Sequence, residues 1–134
     1  MRDGVKLNEH PIHLGRDATA EIEPVFTGGL DWYAAYAERH RGDGADARLV
    51  NIHTFSESWP VWEMHPKGSE VVLCLSGSMI LRQRQAGEPA EVTIALHAGE
   101  YAINPPGVWH TADVSSEATA LFITAGSGTE HQPR

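Results

Sequence analysis

The sequence has little cysteine, little positive charge and no long apolar run, and each shortage excludes a class of protein. Cys74 is the only cysteine among 134 residues, so no intramolecular disulfide can form. The 10 Lys and Arg residues are outnumbered by 18 Asp and Glu residues, which gives a formal net charge of −8. That balance disfavours nucleic acids and anionic membrane surfaces as partners. No stretch approaches the roughly 20 apolar residues that span a bilayer, and the N-terminus lacks the apolar core of a signal peptide.

A chain of this length and composition is typical of one globular domain in a reducing compartment, so we expect a cytoplasmic protein. Residues 1–47 are predicted to form an N-terminal extension with a helix near residues 30–40. Aromatic and apolar side chains recur there with helical spacing, and Asp31 is a suitable N-cap. The residues on the predicted face are Tyr33, Tyr36, Ala37 and His40.

Short apolar runs separated by Gly, Pro and polar clusters begin at Arg48. They are rich in Val, Ile, Leu, Thr and aromatic residues, which is typical of β-strands. The runs are RLVNIHTF, PVWEMH, EVVLCLS, SMILRQR, EVTIALH, EYAIN, VWHTADV and ATALFITA. Their close spacing predicts a sandwich or barrel over residues 48–125. Residues 126–134 are predicted to be a mobile tail.

Four ionisable residues fall on the predicted inward faces of three of these strands. Glu63 and His65 are two residues apart and therefore share a face. Glu70 and His110 each lie among apolar neighbours on their own strand faces. Such residues are costly to bury unless they are paired or bound to a metal ion. Imidazole and carboxylate together suit iron, manganese, nickel or zinc.

The spacing of these residues resembles the two motifs of the cupin superfamily. The first motif, G-x5-H-x-H-x(3,4)-E-x6-G, is similar to E-M-H-PKGS-E-VVLCLS-G from Glu63 to Gly77. The second, G-x5-P-x-G-x2-H-x3-N, is similar to G-EYAIN-P-P-G-VW-H-TAD-V from Gly99 to Val114. This chain departs from the motifs at three positions: Glu63 stands for the first His, Val114 for the final Asn, and Glu57 for the opening Gly.

The resemblance implies an all-β fold, the cupin-type double-stranded β-helix or jelly-roll barrel, here with a short N-terminal helix. It also implies a metal site inside the barrel, near one mouth. Carried over by position, the metal ligands are Glu63, His65, Glu70 and His110. The family's usual set is three His and one Glu, whereas two carboxylates here would cancel the charge of one divalent ion. We expect Mn²⁺ or Fe²⁺ to be favoured more than in a three-His site, with Ni²⁺ and Zn²⁺ also candidates.

The resemblance leaves two classes of function open. One is a metal-dependent enzyme that acts on a small organic molecule. Dioxygenase, isomerase, lyase and cyclase chemistry are all known among cupins. Glu63 is the candidate catalytic residue. The other is a non-catalytic barrel that binds a sugar-like or acidic metabolite. Apolar residues at alternating outward positions, Val71, Leu73 and Leu75, predict a homodimer.

Other polar and aromatic residues are given more ordinary roles. Trp62 and Trp109 should face away from the metal, and Trp59 is a weak candidate for the rim of the mouth. Tyr101 and Gln83 are pocket candidates by position, and Cys74 is predicted to be buried and structural. His53 and His97 are predicted to be structural. The remaining histidines are predicted to lie on the surface: His10, His13, His40 and His131.

Overall fold

The computed structural model describes residues 1–85 and 87–134, which form mainly antiparallel β-structure. Helix α1 spans Leu30–Arg39, and short 3-10 helices span Arg16–Ala18 and Arg41–Asp46. The strands are β1 Ile12–Leu14, β2 Ala20–Ile22, β3 Arg48–Phe55, β4 Val61–Met64, β5 Glu70–Gln85, β6 Val92–His97, β7 Tyr101–Asn104, β8 Val108–Asp113, β9 Ala118–Thr124 and β10 Glu130–Pro133.

The long strand β5 belongs to both sheets of the barrel. Its first half pairs with β7 and β9, and that sheet continues through β3 and β1 to β2. Its second half pairs with β6 and β8, and that sheet continues through β4 to β10. The strand changes sheets at Gly77, where φ is +70° and an added Cβ would lie 2.0 Å from the carbonyl oxygen of Glu117. Only glycine fits this position, because a side chain would meet both strain and backbone.

The apolar core lies between the two sheets and draws on both halves of β5. Alternation along β5 buries Val72 and Cys74 before the bend and Met79 and Leu81 after it. The other buried members are Trp59, Leu96, Ala102, Ala112, Val114, Ala118, Ala120 and Phe122. Cys74 is therefore buried, as predicted, and Trp59 belongs to the core rather than to the rim of the mouth.

The predicted strands from Arg48 onward are confirmed nearly to the residue. β3 occupies the whole of RLVNIHTF, and each later run holds a strand. The exception is the break expected between EVVLCLS and SMILRQR, because β5 continues through the bend at Gly77. The Pro105-Pro106-Gly107 segment of the second motif forms a turn before β8. Gly107 has φ +78°, and Val108 N–H donates to the carbonyl of Pro105 at 3.3 Å.

The N-terminal extension is more structured than its sequence indicated. Helix α1 lies where it was predicted, but its N-cap is Gly29 rather than Asp31. Strands β1 and β2 form a short hairpin that continues the first sheet beyond β3. Trp32 is buried on α1 and packs edge-on against Phe26, with ring centroids 4.9 Å apart.

The C-terminal residues differ from the mobile tail that was expected. Glu130–Pro133 forms β10, which pairs in register with β4. The guanidinium of Arg134 donates to the backbone carbonyls of Trp59 and Ala112 at 3.2 and 3.0 Å. The segment is polar and lacks the apolar alternation that marks a half-buried strand, which explains why sequence patterning missed it.

In the described part of the chain, no helix combines the length and the apolar character needed to cross a membrane.

Candidate metal centre

A row of polar side chains crosses four neighbouring strands of the second sheet. Glu63 on β4 lies opposite His110 on β8, and His110 lies opposite Gln83 on β5. On the other side of β4, Glu63 lies opposite His131 on β10. Residues that are paired across adjacent strands share a face, so these four side chains line one face at a single level.

His65 follows β4 directly and is held by the turn that precedes β8. The backbone N–H of Gly107 donates to the His65 carbonyl at 3.0 Å. On the imidazole, Nδ1 lies 2.8 Å from the hydroxyl oxygen of Thr129. The second cupin-like motif therefore supplies both His110 and the turn that positions His65.

Glu70 opens β5 and is held on both carboxylate oxygens. Asn104 Nδ2 donates to Oε1 at 3.1 Å, and Thr124 Oγ1 donates to Oε2 at 2.6 Å. Gln83 Nε2 in turn donates to Asn104 Oδ1 at 2.9 Å. These contacts fix the orientation of a carboxylate that is only 4% exposed. Burial alone would raise the pKa of Glu70, but the imidazoles of His110 and His65 beside it hold that pKa well below its ordinary value.

Three of the four side chains predicted as ligands form one group inside the barrel, and the fourth, Glu70, lies against two of them. One donor atom each from Glu63, His65 and His110 lie within 4.8 Å of one another. Glu70 Oε2 lies 3.2 Å from His65 Nε2, and Glu70 Oε1 lies 3.1 Å from His110 Nε2. Burial opposes charge on the His65 ring, but the neighbouring Glu70 carboxylate outweighs that effect and raises the pKa of His65.

Three of the four imidazole nitrogens at this site are buried without hydrogen-bond partners among the described residues. They are His65 Nε2, His110 Nδ1 and His110 Nε2. The two Nε2 atoms are close to Glu70 in distance, but the geometry does not make a hydrogen bond to its oxygens. Burying an unsatisfied polar atom costs about 1–3 kcal/mol. Two imidazoles and two carboxylates with free lone pairs form a donor set that fits a divalent transition metal.

Glu63 is the most accessible of the four residues. Its side chain is 25% exposed, whereas the other three residues are almost completely buried. The exposed imidazole of His131 lies 3.3 Å from Glu63 Oε2. On α1, burial and the charges of Glu63 and Glu70 raise the pKa of Tyr33. The site therefore opens at Glu63, within electrostatic reach of the helix.

Sequence reasoning missed three residues that support this site: Asn104, Thr124 and Thr129. The position of Asn104 could have indicated its role, because it directly precedes the Pro-Pro-Gly turn and lies opposite Glu70 in the strand register. Thr124 ends β9, and Thr129 lies in the supposed tail, so nothing in the sequence linked either residue to a ligand. Only the sheet pairing brings these hydroxyls to Glu70 and His65.

The other candidate residues have mixed outcomes. Tyr101 is 65% exposed on β7, so its assignment to the pocket is wrong, whereas Gln83 joins the network around Glu70. Trp62 and Trp109 lie on the face opposite to Glu63 and His110, as alternation predicted. Arg84 on that face lies 4.3 Å from the centroid of the Trp62 ring.

The predictions for the histidines outside this site also have mixed outcomes. His53 packs among aromatic rings, and burial lowers its pKa, which fits the structural role predicted for it. His97 and His131 are exposed. The surface prediction is wrong for His13, which is fully buried, and for His40, whose side chain is 12% exposed.

His13 and His40 belong to a second cluster, outside the barrel core. His13 Nε2 lies 2.6 Å from Asp43 Oδ2, and its Nδ1 lies 2.7 Å from the hydroxyl of Tyr36. His40 stacks on His13 with ring centroids 3.5 Å apart, and its Nε2 lies 2.9 Å from Glu23 Oε2. One donor atom each from His13, His40 and Asp43 also lie within 4.8 Å of one another. Every imidazole nitrogen of this pair nevertheless has a polar partner.

No protein-family model and no curated protein sequence matches this chain. Among solved structures, it is similar to hydroquinone 1,2-dioxygenase from Sphingomonas sp. TTNP3 with 4-hydroxybenzoate bound, at 17% identity and a TM-score of 0.50, over 57% of this chain and 59% of that one. It is similar to recombinant oxalate oxidase in complex with glycolate, at 16% identity and a TM-score of 0.53, over 62% and 45%. It is also similar to Peruvianin-I, a cysteine peptidase from Thevetia peruviana latex, at 18% identity and a TM-score of 0.53, over 64% and 56%.

The chain spans about half the length of these three proteins. At such low identity, the likeness concerns the fold alone. It confirms the jelly-roll barrel that the two sequence motifs predicted.

Proposed function

We propose that this chain, which has the cupin fold, holds one divalent metal ion through Glu63, His65, Glu70 and His110 and uses it on a small organic molecule. The observation that carries this proposal is the set of buried imidazole nitrogens with no partner beside two carboxylates. A protein-only network would be expected to satisfy these atoms. One metal ion takes one lone pair from each ring, so it would satisfy His65 Nε2 and one of the two His110 nitrogens.

The charges and the supporting contacts agree with this proposal. Two carboxylates neutralise a divalent ion, which lowers the cost of holding it in a buried place. Ligating carboxylates and imidazoles are usually oriented by an outer layer of hydrogen bonds. Glu70 has such a layer in Asn104 and Thr124, and His65 has one in Thr129.

The bound ion would supply Lewis-acid, water-activating or oxygen-activating chemistry. The chain's own residues would divide the remaining work. Glu70 and the two histidines are buried and fixed, so they serve as ligands. Glu63 lies at the accessible edge of the site, where it can also accept a proton from a bound molecule or return one, and we assign it this second role.

The substrate class we propose is a small phenol or organic acid, with dioxygen-dependent oxidation as the first reaction to test. The support comes from similarly folded proteins described as a hydroquinone dioxygenase with 4-hydroxybenzoate and an oxalate oxidase with glycolate. Both bound molecules carry a carboxylate and a hydroxyl group.

A non-catalytic module that binds a sugar-like or acidic metabolite is the second candidate. The observation in its favour is the closure of the site, since His65, Glu70 and His110 are at most 5% exposed. Two clefts among the described residues, with volumes of about 330 and 570 Å³, are lined by none of the four proposed ligands. A module of this kind would bind its ligand through the metal without turnover.

Metal analysis tests the site directly. Purified protein would be stripped with a chelator, incubated separately with Mn²⁺, Fe²⁺, Ni²⁺ and Zn²⁺, and freed of unbound metal. We expect about one ion per chain, with Mn²⁺ and Fe²⁺ bound at least as completely as the other two. A stoichiometry near zero for all four ions would exclude the metal site.

Oxygen-electrode measurements separate the two candidate functions. Metal-loaded protein would be mixed with hydroquinone and with oxalate, and dioxygen uptake would be followed. We expect uptake with one of them and its loss in Glu63→Gln, with the metal still bound. Binding of both compounds without uptake would favour the non-catalytic module.

We also propose that the protein is a cytoplasmic homodimer with no nucleic-acid or membrane partner. An apolar outer face on the first sheet supports the dimer. Its rows pair Val71 with Ile103 and Leu73 with Tyr101, and Ile103 and Tyr101 are exposed. Light scattering should give twice the mass of one chain at micromolar concentration, and a monomer mass would contradict the dimer.

A further inference from the structure

We propose that Thr129 is a positioning residue that fixes the tautomer of His65, so that the C-terminal segment of residues 126–133 completes the metal site. This inference rests on the proposed function above, because its consequence is a free lone pair on His65 Nε2. Thr129 was assigned to a mobile tail by its sequence. In the structure it lies half-buried against His65.

The direction of the hydrogen bonds follows from the single proton of the Thr129 hydroxyl. Thr129 Oγ1 donates to the carbonyl of Gly126 at 2.8 Å. The same oxygen lies 2.8 Å from His65 Nδ1, so in that contact it must accept. Nδ1 therefore carries the ring proton. Since a neutral imidazole has one such proton, Nε2 is left as a bare lone pair.

The environment of Nε2 agrees with this assignment. His65 Nε2 is buried, has no hydrogen-bond partner among the described residues and lies 3.2 Å from Glu70 Oε2. If Nε2 carried the proton, the Glu70 carboxylate beside it would be expected to turn and accept it. Glu70 instead accepts from Asn104 and Thr124. The bare Nε2 is thus oriented for an ion between His65 and its neighbours.

The C-terminal segment is held in place by contacts outside the metal site. Strand β10 pairs with β4 over four residues, and Glu130 lies opposite Met64. A turn at Gly128, with φ +77°, precedes the strand and leaves the Thr129 N–H bonded to the Gly126 carbonyl at 3.1 Å. The same segment brings His131 within 3.3 Å of the Glu63 carboxylate. One short segment therefore contacts two of the proposed ligands, His65 through Thr129 and Glu63 through His131.

A purely structural role for Thr129, as part of the turn, predicts no change in the tautomer of His65. Thr129→Val keeps the shape of the side chain and removes the hydroxyl's bonds to both His65 and the Gly126 carbonyl, whereas Thr129→Ser keeps both. Thr54→Val is a matched control, since Thr54 is exposed and its hydroxyl lies 2.8 Å from that of Thr119, away from the metal site. If Thr129 acts through His65, the valine variant should weaken metal binding and serine should restore it.

The first measurement is the dissociation constant of Mn²⁺ and of Zn²⁺ for each variant, by calorimetry or competition with a chelating dye. Loss of an outer contact to a ligating histidine typically costs about 10–100-fold in affinity, and we expect Thr129→Val to fall in that range. Thr129→Ser and Thr54→Val should bind as the wild type does. Wild-type affinity in Thr129→Val, or equal weakening in the valine and serine variants, would overturn the proposal.

The second measurement reads the tautomer itself. Two-dimensional nitrogen–proton spectra of the metal-free protein, well above the ordinary imidazole pKa of about 6.5, should place the His65 proton on Nδ1. In Thr129→Val that preference should be lost while the other ring signals persist. A wild-type proton on Nε2 would overturn the assignment. If the wild type binds no metal, the proposed function fails, and these spectra still decide the role of Thr129.

Discussion

Two clusters in this molecule have the same chemical composition and opposite hydrogen bonding. Each contains two imidazoles and two carboxylates. The barrel cluster is Glu63, His65, Glu70 and His110, and the N-terminal cluster is His13, Glu23, His40 and Asp43. In the barrel cluster, three imidazole nitrogens have no hydrogen-bond partner in the described structure. In the N-terminal cluster, three of the four imidazole nitrogens have hydrogen-bond partners, and the fourth, His40 Nδ1, lies 3.5 Å from the Glu21 carboxylate.

The kind and spacing of donor atoms therefore do not by themselves define a metal site. The N-terminal cluster has used its lone pairs and protons to join β1, α1 and the following 3-10 helix. Arg39 completes its charge balance, because its guanidinium lies 2.8 Å from the buried carboxylate of Glu23. The barrel cluster has kept its lone pairs free. The barrel cluster can therefore bind an added ion, whereas the N-terminal cluster stabilises the contacts between segments of the fold.

The largest expected effect is loss of metal binding in His110→Leu. This change removes a proposed ligand without adding a polar group, so the loss of affinity should exceed the roughly 10–100-fold that an outer contact costs. Because neither ring nitrogen of His110 has a hydrogen-bond partner among the described residues, the metal-free protein should lose little stability. Metal titration and thermal unfolding of the stripped protein check both parts. Unchanged metal affinity would remove the distinction between the clusters.

His13→Leu is the matching change in the N-terminal cluster and should have the reverse result. It leaves the hydroxyl of Tyr36 and the carboxylate of Asp43 without their partner, which costs about 1–3 kcal/mol in the free energy of unfolding. Water can partly replace the bond to Asp43, whose side chain is 26% exposed, so the low end of this range is expected. Urea denaturation measures the loss. If metal stoichiometry falls from two to one, the N-terminal cluster is also a metal site.

Glu63→His tests how the donor set of the barrel cluster controls which metal it binds. It restores three histidines and one glutamate, the set that the cupin resemblance implies as usual. A divalent ion would then keep one uncancelled positive charge, and the added nitrogen donor favours Zn²⁺ and Ni²⁺ over Mn²⁺. Competition between Mn²⁺ and Zn²⁺ should show a lower Mn²⁺ preference than in the wild type. An unchanged preference would mean that Glu63 does not bind the ion.

The smallest effect concerns acid stability of the N-terminal cluster. The hydrogen bond to His13 lowers the pKa of Asp43, with a further contribution from Arg16. A lowered pKa in the folded state means that the stabilisation is complete above the ordinary carboxyl pKa of about 3.9. It is lost as the pH falls through the lower folded-state value. Melting temperatures should therefore favour the wild type over Asp43→Asn at neutral pH and converge in acid. A constant difference across that range would contradict this account.

The sequence predicted more of the barrel than of the N-terminal region, for a physical reason. Strands such as β3 and β9 bury one face, so alternation and flanking turn residues mark them. The three-residue strands β1 and β2 bury too little for alternation to appear, and β2 is exposed throughout. Gly77 separates two predicted strands because glycine is typical of turns, whereas in the structure its positive φ bends one continuous strand from one sheet to the other.

The candidate site shows the same limit. The four barrel residues could be identified because family spacing and strand alternation are local properties of the chain. His13 was misassigned to the surface because its partners Tyr36 and Asp43 lie 23 and 30 residues away. His65 and Thr129 are separated by 64 residues, so no local pattern connects them.

By itself, the sequence determined the class of fold, the strands from Arg48 onward and the four residues that meet inside the barrel. These follow from side-chain periodicity and turn chemistry, which act over a few neighbouring residues. Only contacts between distant segments determine which of the two donor clusters keeps free lone pairs, and that Thr129, in the polar segment just before β10, lies against His65. Those outcomes depend on hydrogen bonds between distant segments, which exist only once the two sheets have paired.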